Sequence, residues 1–204
     1  MQGRPPSILY LCRSEQQFFL RWSMALFRNI VIGLVGGAVG TLAMGQYWTR
    51  VAPLLQDDEG ESSGDHKPTP DRHSIAPLGQ LHAPGESSTA ALGRLAYEAA
   101  EGHTPKKEGT RTALSEGIHW GMGVLNGGLY GALAGPREPL KAAIFGVGLW
   151  ALMDEGLVPL MGLQDGPGGS TPRGHINRLG AHLAYGLGLG LTALALDRML
   201  PDGK

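Results

Sequence analysis

Asp154 and Glu155 stand side by side inside an apolar stretch, Gly146 to Leu163 (GVGLWALMDEGLVPLMGL). Carboxylates among apolar side chains are costly unless pairing, protonation or water relieves them. The groups able to do that lie in the same half of the chain. His175, Arg178 and His182 follow i, i+3, i+7, one side of a helix. His119 opens a second apolar run in which Asn126 and Tyr130 fall on the same broad stripe. Histidines with carboxylates can relay protons, hold a metal ion, or fix helices in register by hydrogen bonds. No H-x-x-x-H or H-E-x-x-H spacing is present, and nucleophile-elbow and P-loop patterns are absent. No cofactor is therefore predicted, and a metal or haem enzyme is the third reading of the cluster, with no motif behind it.

These residues need elements to carry them, and the apolar runs supply those. Asn29 to Thr49 is free of charge over 21 residues, enough at about 1.5 Å per residue to cross a hydrocarbon layer of roughly 30 Å. Within this run, transmembrane helix 1, Gly33 and Gly37, and Gly36 and Gly40, make overlapping small-xxx-small patterns. The 20 uncharged residues from Gly117 to Pro136 carry a ridge that includes Gly127 and Gly131. A third run starts near Leu140 and is expected to stop or kink at Pro159. A fourth, about His175 to Leu196, is slimmed by Gly186, Gly188 and Gly190. Such ridges let membrane helices approach closely, and they can also dock a partner.

Between the first and second runs the composition changes. Residues 50–116 hold eleven acids (Asp57, Asp58, Glu59, Glu61, Asp65, Asp71, Glu86, Glu98, Glu101, Glu108, Glu116) against seven bases. This polar acidic loop dilutes the mean hydropathy to -0.07, a value that resembles a soluble protein's. Prolines and glycines break any periodicity between Gln56 and Glu86, so disorder is expected there, with His66, His73 and His82 as solvated loop residues. A short amphipathic helix is expected near 88–101, capped by Ser88 or Thr89, with Ala91, Leu92, Leu95 and Ala99 on one face and Gly102 at its end.

Residues 1–28 form a basic N-terminal segment, Arg4, Arg13, Arg21 and Arg28 against Glu15, with Met24 as an alternative start. Basic residues before the first run, with Arg137 and Lys141 after the second, favour cytoplasmic N- and C-termini. Cys12 is the single cysteine, so the chain has no internal disulfide. The net charge of -1 gives no reason to expect nucleic acid.

Three local patterns carry a likeness: GGLYGAL (Gly127 to Leu133) in the helix led by His119, VPLMGL (Val158 to Leu163), and AHLAYG (Ala181 to Gly186). In this order and spacing they resemble the YagU-like (DUF1440) family of small bacterial inner-membrane proteins. The resemblance covers residues 90–197 best, implies a bacterial inner (plasma) membrane location and a compact helical bundle, and brings no activity with it. The long acidic loop departs from it.

The expected molecule is an all-α integral membrane protein, a four-transmembrane-helix glycine-rich bundle (29–49, then three helices within 117–197) with a long, mostly disordered loop between helices 1 and 2. Its partners are the lipid bilayer and a homo-oligomer or larger membrane complex. The leading function is non-enzymatic, assembly through the glycine ridges. The alternative is proton-coupled or small-solute transport through the polar cluster.

Overall fold

The structure, a computed structural model, describes residues 8–55, 74–135 and 138–200, with side chains from Arg21 onward. His66, His73, Arg137, the side chains of Arg4, Arg13 and Cys12, and the disorder expected over 56–73 lie outside the described residues. Among those described, every regular element is helical.

Helix α1 spans Ile8–Gln46 and continues through a π turn, Tyr47–Val51, and a 3-10 turn, Ala52–Leu55. It begins well before Asn29. From Ile8 to Arg28 the chain has neither glycine nor proline, so nothing interrupts the i→i−4 pattern. The basic segment is therefore largely the first half of one long helix. Helix α2 is Ser88–Glu101, and α3 is Glu108–Ala134, starting ahead of Gly117. Ser87, rather than Ser88 or Thr89, caps α2, its side chain accepting from Ala90 N at 3.3 Å. Gly102 closes α2 in the left-handed region, φ 72°.

Gly135, φ 68°, ends α3. Helix α4, Pro139–Leu149, then runs without a break into a π segment, Trp150–Leu157, and a last turn, α5, Val158–Leu160. The helical stretch ends at Leu160, one residue past Pro159. The chain turns at Gly162, φ 73°. Helix α6, Pro172–Met199, starts on Thr171, whose side chain accepts from Gly174 N at 3.1 Å, with Pro172 in the first turn where its missing N–H costs nothing.

Among the described residues, three helical stretches are long and apolar enough to cross a membrane: Arg21–Leu55, Pro139–Leu160 and Pro172–Met199. Their outward faces carry exposed apolar stripes, such as Val31, Val35, Val39 and Leu42 on α1 and Leu183, Leu187 and Leu191 on α6. Stripes of this size suit contact with a lipid bilayer.

Helix α1 lies between α3 and α6, α6 also packs on α4, and α2 rests on α3; α3 and α4 meet only slightly. Glycine makes these approaches close. A Cβ added at Gly127 would stand 2.5 Å from Gly37 Cα and run into the Gly33 carbonyl oxygen. One added at Gly131 would strike the Asn29 carbonyl, and one at Gly186 would lie 2.9 Å from Ala143 Cα. Gly36 and Gly40 of α1 face Leu189 and Tyr185 of α6 in the same way. The ridges are thus occupied inside the chain.

The ring of four long helices is closed at one end and open at the other. At the closed end Tyr130, 2% exposed, packs its ring on Phe145 (centroids 5.4 Å apart), and its hydroxyl donates to the Glu138 carbonyl at 3.1 Å. There too Arg28 Nη1 meets Asp197 Oδ1 at 2.8 Å and Arg28 Nη2 donates to the Leu200 carbonyl at 2.6 Å, pinning α1 to α6. Toward the other end α3 and α4 part, leaving a space between them.

Candidate functional site

The π segment places the two carboxylates. In a π turn the i−5 carbonyl awaits an N–H, and Val158 N does reach Met153 O. Pro159 has no N–H to give the next carbonyl, that of Asp154. Gln164 Nε2 donates to it instead, at 2.6 Å. The backbone at Asp154 is thereby satisfied through a side chain from beyond the turn, which fixes where the carboxylate stands.

Glu155 and Asp154 then take different roles. Glu155 Oε1 lies 2.7 Å from His175 Nδ1 and 3.4 Å from Arg178 Nη2. His175 Nε2 faces the Pro167 carbonyl at 3.0 Å, and Arg178 Nη2 donates to Ser170 Oγ at 2.8 Å. Both Glu155 and His175 find partners here, while the buried Arg178 Nε finds none among the described residues, and the network binds the π segment to the start of α6. Asp154 is not matched. Its one ion-pair contact among the described residues is His182 Nδ1 at 3.6 Å, beyond hydrogen-bond length. His182 Nδ1 is already committed to the Arg178 carbonyl at 3.0 Å.

The space between the parted helices is a half-open cavity of about 600 Å³. Asp154, His182, Arg178 and Tyr185 line it from the α4–α6 side, and His119 and Asn126 from α3. His119 makes no hydrogen bond or ion pair among the described residues. The Asn126 amide donates back to the Met122 carbonyl at 2.9 Å, and the Tyr185 hydroxyl crosses to the Gly123 carbonyl at 2.7 Å. Met44, Met122, Met153 and Met161 supply much of the apolar wall. The structure therefore gathers His119, Asn126, Asp154, Arg178 and His182 around one space. It sets Glu155 and His175 behind it, and buries Tyr130 at the opposite end.

The roof comes from the acidic loop. Residues 74–87, within the stretch expected to be disordered, follow a defined path over the cavity. Leu81 N and His82 N both donate to the Gly162 carbonyl, at 2.7 and 3.1 Å, and Gln80 Nε2 donates to Asp165 Oδ1 at 2.9 Å. His82, expected to be a solvated loop residue, is instead largely buried, 3.6 Å from Asp165. Arg94 of α2 holds this strap by a fork on Glu86 (2.9 and 3.0 Å) and by the Leu81 carbonyl at 2.6 Å. The guanidinium holds the Glu86 carboxyl below its ordinary value, helped by the Ala83 N–H and opposed by partial burial. Glu86 in turn raises Arg94. Asp165 and Gln164 are not singled out by the sequence, and His82 is read there only as a solvated loop histidine. The proline that orphans a carbonyl was the one local sign of Gln164.

Among the described residues no three of His, Cys, Asp and Glu converge as a metal ion would require. Comparison with protein-family models, with curated proteins and with solved structures finds no match.

Proposed function

We propose that this chain is a proton-coupled carrier of a small solute, working through the cavity roofed by residues 80–89. The observation that carries the reading is Asp154: a carboxylate on a membrane-length helix, lining a cavity of about 600 Å³, with no hydrogen bond to its oxygens among the described residues. Such a group is relieved by taking a proton or a ligand, and alternating between the two is the elementary step of coupled transport. The groups around it, His182 and Arg178 on α6, Glu155 beside it and His119 across the cavity on α3, can accept or steer that proton.

In this reading α3 is a fourth span. Leu125, Leu129 and Leu133, all exposed, continue the open line of Gly117 and Gly121 into one lipid-facing ridge. The N- and C-termini are cytoplasmic, the closed end with Arg28 and Asp197 lies inside, and the cavity faces outward. The bacterial inner membrane as its place rests on the resemblance to the YagU-like family. Assembly through glycine ridges, the leading expectation, loses its principal support, because Gly33, Gly37, Gly127, Gly131 and Gly186 are filled by the chain's own backbone.

The test is purified protein in proteoliposomes under an imposed pH gradient, with an internal pH dye. Wild type should move protons when a transported solute is supplied, and Asp154→Asn should not. Wild-type vesicles no leakier than empty ones across a broad solute panel would overturn the carrier reading.

A further inference from the structure

The carrier reading leaves the solute unspecified, and the charge balance of the cavity narrows it. Four fully ionising side chains line the space: Glu86, Asp154, Asp165 and Arg178. Glu86 is answered by Arg94 at 2.9 Å and Arg178 by Glu155 at 3.4 Å. Among the described residues, the basic side chain within 4 Å of each of the other two is a histidine, His182 for Asp154 and His82 for Asp165, both at 3.6 Å. Gln80 gives Asp165 one neutral hydrogen bond, which does not cancel its charge. With the histidines counted as neutral, the lining keeps two negative charges.

The rest of the wall suits an apolar body that carries a positive charge. Four of the lining residues are methionines, flexible and polarisable, which fit irregular or varied shapes. Trp48 and Tyr185 add aromatic rings, whose faces attract cations. The volume, about 600 Å³, falls in the range of small-molecule sites. Resting on the carrier reading, we propose that the cavity takes a lipophilic organic cation, an amine or quaternary onium with an apolar body, its charge set on Asp154 and its approach favoured by Asp165 at the mouth.

The experiment is equilibrium binding to the detergent-purified full chain of two ions of nearly the same shape and opposite charge, tetraphenylphosphonium and tetraphenylborate. Tetraphenylphosphonium should bind saturably and tetraphenylborate at least about tenfold more weakly, since a like charge near an unpaired carboxylate is repelled. Asp154→Asn should weaken tetraphenylphosphonium by about tenfold or more, and Asp165→Asn by a smaller factor. The second variant, at the exposed mouth, keeps the test valid if the first fails to fold. Tetraphenylborate binding as well as or better than tetraphenylphosphonium, or tetraphenylphosphonium unaffected by both variants, overturns the cation assignment while the cavity remains a site. Binding of neither ion overturns it as well, and the proton-flux measurement then judges the carrier reading alone.

Discussion

Adjacent residues with the same charge are set apart here by what reaches them. Glu155 meets His175 and Arg178 from α6, whereas Asp154 meets one imidazole already committed elsewhere. Removing a charge from a partly buried matched network leaves its partners unpaired, at a cost of about 1–3 kcal/mol. Glu155→Gln should therefore lower the thermal unfolding midpoint in detergent, and Asp154→Asn should leave it unchanged or raise it. The opposite ranking would reverse the roles given to the two acids. The sequence shows both carboxylates and the three-to-seven spacing of His175, Arg178 and His182 plainly. It cannot show which acid faces which, because a π turn rotates side chains relative to an α-helix and is not visible in the pattern.

At the scale of elements the glycine ridges and the loop strap make separate predictions. Gly127→Leu must push α3 off α1, since even a Cβ there meets Gly37 Cα at 2.5 Å; over-packing of this kind costs about 1–3 kcal/mol or more. Gly121→Leu, with nothing within 4 Å of a new Cβ, should be tolerated. Differential scanning fluorimetry of the two variants separates intramolecular packing from a general intolerance of bulk on α3.

The strap gives a pH dependence outside the membrane. Glu86 has a folded-state value below its ordinary 4.5, chiefly through the Arg94 hydrogen bonds, so its stabilisation is present above that ordinary value. It is lost as pH falls through the lowered one. Hydrogen exchange over residues 80–89 should be slow at neutral pH and accelerate only in acid below about 4.5, and Arg94→Ala should make it fast at neutral pH too. Exchange that Arg94→Ala leaves unaltered would show the strap is held by something else. The periodicity and glycine stop of α2 are legible in the sequence. The strap is not, because its partners are far apart in the chain: Leu81 N and His82 N meet the Gly162 carbonyl, and no local spacing pairs Arg94 with Glu86 and the Leu81 carbonyl.

At the scale of the molecule, the apolar runs announce an all-helical protein with membrane-length segments, and among the described residues three of them are present at that length. Where the helices touch is less legible. Glycine spacing marks a close contact but not its partner, and in this chain α1 spends one glycine pair on α3 and another on α6. The result is a ring shut by Tyr130, Arg28 and Asp197 at one end and parted around polar residues at the other. Arg28→Gln should loosen the shut end by about 1–3 kcal/mol, read as easier denaturation in detergent, without altering binding in the cavity. Loss of binding with intact stability would tie the two ends together in a way this architecture does not provide.

The division of labour between the two acids is most directly examined by proton flux in proteoliposomes carrying Asp154→Asn or Glu155→Gln, each matched for folded protein. Flux should vanish in Asp154→Asn, and should persist per folded molecule in Glu155→Gln. Flux that survives in Asp154→Asn and disappears in a stably folded Glu155→Gln would contradict the account at its centre.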